Sequence, residues 1–143
     1  MDITMTRISL YALIIITSLL SFSCEDYDEL RPLLRRHASE LEKTAVSIRK
    51  SENSVQISTS LRAFNGSMNG ILAEYRDAGK KHPGLKNIFV DPPSSIRNEV
   101  SRVLELNTAL RHSLLLTVDH SADSSLRLHL AETISLLDAL NRE

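Results

Sequence analysis

The chain has 143 residues, 42% of them hydrophobic, and a formal net charge of −1 at pH 7. That length suffices for one hydrophobic core and not for two. The near-neutral balance supplies no basic field for nucleic acid, and a single cysteine, Cys24, excludes an internal disulfide. Four glycines, four prolines and no tryptophan favour helices.

The first 24 residues carry the strongest single signal. Arg7 is followed by the apolar run Ile8 to Leu20, then by Ser21-Phe22-Ser23 and Cys24, with the acids Glu25 and Asp26 next. A spanning helix needs roughly 20 apolar residues, and this run stops well short. Residues 1–23 therefore read as an export signal. The segment resembles bacterial lipoprotein signals, with Leu20 at −4, Ser21 at −3, Phe22 at −2 and Ser23 at −1 from Cys24, a relaxed form of the lipobox. The resemblance implies acylation of Cys24 and a protein of the cell envelope, anchored to a membrane. Ser21-x-Ser23 also satisfies the small-x-small rule of ordinary signal peptidase, which would leave Cys24 as a free thiol on a periplasmic protein. An uncleaved anchor is the third alternative.

Residues 24–29 hold the acidic cluster Glu25, Asp26, Asp28 and Glu29, read as a solvated tether ahead of a bundle over 30–143. The same acids suit the positive end of a following helix, where Pro32 is tolerable only within the first turn. Leu30, Leu34, Ala38, Leu41, Ala45 and Ile48 then recur at spacings of 3 and 4, one face of a helix running to about Lys50.

Ser51-Glu52-Asn53-Ser54 breaks the pattern and offers several N-caps. Ile57, Leu61, Phe64, Met68, Ile71, Tyr75 and Ala78 follow in unbroken steps of 4 and 3, a bundle seam. It should end near Gly79, with Lys80 and Lys81 at the negative helix end and Pro83-Gly84 forbidding continuation. Gly66 and Gly70 lie four apart on the opposite face, where each costs about 1 kcal/mol relative to Ala. They mark either a weak or kinked surface turn or a face that a partner helix approaches closely.

The connection from Leu85 to Ser95 is too apolar for a free linker, and Leu85, Ile88, Phe89 and Val90 should fold over one end of the bundle. Pro93 is expected at or near the first turn of the next helix. Ile96, Val100, Val103, Asn107, Leu110, Leu114 and Val118 form the third stripe. Asn107 in its middle reads either as a register-setting core residue or as a ligand contact. Ser121 and Asp123 are caps for a fourth stripe of Leu126, Leu130, Ile134, Leu137 and Leu140. These elements predict an all-α, antiparallel up-down-up-down four-helix bundle.

In helix lengths, in its proline-bearing second connection and at the junction Lys50-Ser51-Glu52-Asn53-Ser54-Val55-Gln56-Ile57, this layout resembles cytochrome b562, an exported four-helix haem protein. The resemblance implies the same bundle and an electron-carrier role, with haem held by a Met early in the first helix and a His near the end of the last. Ala38 stands at the matched Met position, no His follows at the other, and Met68 and His129 are not at matched positions. No cofactor is therefore expected.

Two helical pairs, His37-x-x-Glu40 and His129-x-x-Glu132, have metal-ligand spacing, but both lie beside the apolar stripes and read as solvated faces. There is no CxxCH, no phosphate-binding glycine loop and no GxSxG, which argues against an enzyme. The expected function is that of a membrane-anchored module binding an unidentified protein or serving a structural role; the alternatives are a haem- or metal-binding electron carrier and an envelope inhibitor or immunity protein.

Overall fold

The computed structural model describes residues 27–82, 88–118 and 123–139. The expected leader, Cys24, Glu25, Asp26, Leu85, Ser121 and Leu140 lie outside the described residues. Four helices form a bundle: α1 (Arg31–Lys50), α2 (Ser54–Lys81), α3 (Arg97–Val118) and α4 (Ser124–Ala139). Among the described residues, no helix is long and apolar enough to cross a membrane.

A 3-10 turn, Tyr27–Leu30, leads into α1. Asp28 accepts from the Arg31 guanidinium at 2.7 Å, and Glu29 meets His82 Nε2, beyond the end of α2, at 2.5 Å. Tyr27, Asp28 and Glu29, the last residues of the expected tether, thus belong to the described fold. Pro32 stands in the first turn of α1, where its missing N–H costs nothing.

Of the several N-cap candidates in the 51–54 break, Asn53 caps α2. Its side chain accepts from Gln56 N at 3.0 Å, and Gln56 Oε1 in turn accepts from Glu52 N at 2.8 Å. The helix runs uninterrupted past Gly66, Gly70 and Gly79 to Lys81. Pro93 falls outside the first turn of α3. Its carbonyl accepts from Ile96 N at 3.1 Å, closing a turn that drives Ile96 into the core, and the helix starts one residue later. Asp123 caps α4, accepting from Ser125 N at 2.9 Å and Leu126 N at 3.2 Å. Those bonds hold its carboxyl below the usual range.

The stripes meet in one core that includes Leu34, Leu41, Leu61, Phe64, Met68, Ile96, Leu114, Leu130 and Leu137. Each such side chain contributes about 1.5–3 kcal/mol on leaving water. The order of helices around this core follows from long-range polar pairs. Between α1 and α2, His37 meets Tyr75 while Ser47 meets Ser60, so these two run in opposite directions. Between α1 and α3, Arg31 and Arg35 pair with Glu99 while Glu42 pairs with Arg102, so these neighbours are parallel. Between α2 and α4, Ser54 bonds Asp123 and Asn65 bonds Thr133, again parallel. Directions therefore alternate along the chain, yet the packed neighbours are α1 with α2 and α3, and α4 with α2 and α3. Helices α2 and α3, consecutive in the chain, are therefore diagonal to one another.

Candidate functional site

His37 corrects the sequence reading: it lies in the core, with none of its surface exposed. The buried face of α1 is wider than the predicted stripe, taking in Leu33, His37 and Thr44 beside Leu34, Ala38 and Leu41. Residues three apart on a helix differ by about 60° in direction. At the border of a wide face that separation puts His37 inside while Glu40 stays near the surface, bound to Lys43 at 2.9 Å. The pair cannot chelate together.

His37 Nδ1 lies 3.2 Å from the Tyr75 hydroxyl, and Phe89 closes the cluster edge-on, its ring 5.3 Å from that of Tyr75 and 6.5 Å from that of His37. Nε2 of His37 is buried without a partner. Burial pushes the imidazole down to about 4 and raises the Tyr75 phenol. His37 is thus a neutral ring sealed under the second connection. Ile88 and Phe89 do pack against the core as expected, whereas Val90 is 74% exposed. The physical reason is direction: a tight turn at 88–90 cannot aim three successive side chains inward.

At the edge of this cluster Tyr27 stacks edge-on against His82 at 5.6 Å, and the His82 hydrogen bond holds the Glu29 carboxyl below its ordinary range. On α4, His129 also departs from a solvated face: its side chain is 14% exposed and its Nδ1 is buried. Glu132 Oε2 stands 3.9 Å away, too far for a hydrogen bond. Among the described residues no group of three His, Cys, Asp or Glu could hold a metal ion.

Midway along the bundle is a second polar group that the sequence showed only in part. Asn107 Nδ2 donates to the Leu137 carbonyl at 3.2 Å, which spends this residue on an inter-helix bond. Thr133 Oγ1 lies 2.7 Å from both Asn65 Oδ1 and the His129 carbonyl, and its single proton serves one of them at a time. Asn65 Nδ2 and Asn107 Oδ1 remain buried without partners. Neither Asn65 nor Thr133 stands on a predicted stripe; Ile134, which does, is only half-buried.

Gly66 and Gly70 are exposed on α2, and a Cβ on either would meet nothing within 4 Å. Among the described residues, no other helix comes within 4 Å of those positions. At the end remote from His37, an open groove of about 750 Å³ lies between the α1–α2 junction and the α3–α4 ends, lined by Asn53, Ile57, Leu116, Asp123 and Leu126 among others.

No family model, no curated protein and no solved structure matches the chain. The likeness to cytochrome b562 therefore rests on layout and the junction residues alone.

A haem does not fit the residues present. Ala38, at the matched ligand position, is buried and offers only a methyl group. Met68 and His129 are no alternative pair. With Asn65 level with Thr133 across parallel helices, they sit about seven residues apart along the axis, or about 10 Å. His37 turns Nδ1 to Tyr75 and has the second connection packed above it.

Proposed function

We propose that this chain is a non-enzymatic helical module, exported and held at a membrane of the cell envelope by acylated Cys24, where it binds another protein or fills a structural role. The carrying observation is placement. An apolar run is followed by the only cysteine, and the first described element, Tyr27–Leu30, lies three residues beyond it. With no second cysteine in the sequence an internal disulfide is excluded, and the relaxed lipobox before Cys24 favours acylation there. The chemistry of the interior supports a binding rather than a catalytic role. Its buried histidine is neutral and covered, and each of its buried amides makes one bond to a neighbouring helix.

The test is expression of the full-length chain in a bacterium. The N-terminal fragment should carry acyl mass on Cys24 and the protein should enter the detergent phase, while Cys24→Ala should stay aqueous or unprocessed. An unmodified Cys24 on the processed protein would overturn the anchor; with Cys24 acylated, a pull-down from the envelope using the anchored protein separates a protein-binding module from a structural element.

A further inference from the structure

We propose that α4 is a detachable element of the bundle: it undocks as one unit while α1, α2 and α3 stay packed, uncovering the faces of α2 and α3 that it seals. Its seam is where unpaired polar atoms gather. Among the described residues four buried side-chain atoms lack a hydrogen-bond partner, and three of them belong to this seam. Asn65 and Asn107 each direct one bond to α4 and keep Nδ2 and Oδ1 unpaired, while His129 Nδ1 is on α4 itself. A buried donor or acceptor without a partner carries its full desolvation cost, and undocking α4 returns all three atoms to water. The fourth, His37 Nε2, lies between α1 and α2, in the part that stays closed.

The apolar hold on α4 is also the smallest. Its described residues bury three apolar side chains, Leu126, Leu130 and Leu137, and Thr133 takes the core position between them, with Ile134 and Leu136 only partly buried. Among the described residues α1 and α3 each bury four and α2 buries six. Since the gain scales with the apolar area removed from water, α4 is the helix held least firmly. The ion pair that Asp138 makes with Arg111 is partly exposed, and exposed pairs add little. Because α1 packs on both α2 and α3, the loss of α4 leaves those two helices joined through α1. A unit so held opens by itself at less cost than global unfolding.

The test is hydrogen exchange of the full chain in heavy water at neutral pH, read by mass spectrometry of its peptides. The slowest amides of α4 are expected to exchange together, at least about tenfold faster than the slowest of α1, α2 and α3. Leu34→Ala then separates the two units. Leu34 is wholly buried in α1 beside Glu99, which lies about 12 Å along α3 from Asn107, so it keeps its neighbours when α4 leaves. The variant, its helicity checked by circular dichroism, should speed the slow amides of α1, α2 and α3 by a larger factor than those of α4. Equal rates in all four helices, an equal acceleration of all four by Leu34→Ala, or fast exchange confined to the residues nearest Ala139, which is fraying, would overturn the proposal. Should Leu34→Ala not fold, the wild-type rates decide alone.

Discussion

His37 of α1 and Tyr75 of α2 meet across the first helix pair with Nδ1 3.2 Å from the phenol oxygen, a polar contact within an aromatic and aliphatic cluster. Whichever tautomer the ring adopts, Nε2 is left without a partner. A buried imidazole with one bond stays neutral, because charging it in that setting has nothing to offset the lost hydration.

This sets a pH dependence. His37 titrates at about 4 when folded against 6.5 in its ordinary state, so between those values the unfolded chain binds a proton that the folded one refuses. Its contribution is complete above pH 6.5 and is lost as pH falls toward 4, at about 1.4 kcal/mol per unit and about 3 kcal/mol in all. Urea denaturation of wild type and His37→Leu at pH 7 and pH 4.5 should show the variant losing less stability on acidification. Equal losses would place His37 in contact with water.

Tyr75→Phe should cost about 1–3 kcal/mol at pH 7, since it strips the remaining bond from a buried ring while keeping the aromatic packing on Phe89. The measurement is the denaturation midpoint. A neutral result would show that the hydroxyl contact adds nothing.

Asn65 and Thr133 should behave as a unit. Thr133→Val keeps the shape but leaves the Asn65 amide wholly unpaired, at about 1–3 kcal/mol. Adding Asn65→Leu to it should recover part of that loss, giving a non-additive double-mutant cycle. Additive costs would show that the two do not interact.

The two faces of α2 should respond with opposite sign. Leu61 is wholly buried, and Leu61→Ala should cost about 2–5 kcal/mol. Gly66 sits mid-helix with open space where a Cβ would go, so Gly66→Ala should stabilise by up to about 1 kcal/mol. Thermal unfolding reads both. Destabilisation by Gly66→Ala would point to a partner helix packed on that face, and self-association would then be measured by analytical ultracentrifugation.

Haem titration of the purified protein should give only the broad absorption of free haem. Axial ligation calls for His, Met, Cys or Tyr side chains converging on one iron, and Ala38 stands where the first would be. A sharp stoichiometric Soret band abolished by His37→Ala or His129→Ala would restore the electron-carrier reading.

What the sequence determined by itself was local. Apolar residues at steps of 3 and 4 marked the four helices and the centre line of each buried face, because periodicity is a property of one helix. Asn53 and Asp123 were legible as caps because a cap bonds only to the turn beside it. Asn107 was legible as a polar residue inside a stripe, though its partner, the Leu137 carbonyl 30 residues on, was not. The tertiary structure decided the rest. How wide a face is buried depends on how many helices close over it, and that width took His37 and Thr133 from the border into the core. Which helices are neighbours shows only in contacts spanning 60 to 68 residues, Arg102 with Glu42 and Thr133 with Asn65 among them, which no single stripe contains. A stripe states that a helix has an inside; only the packed bundle states what it faces there.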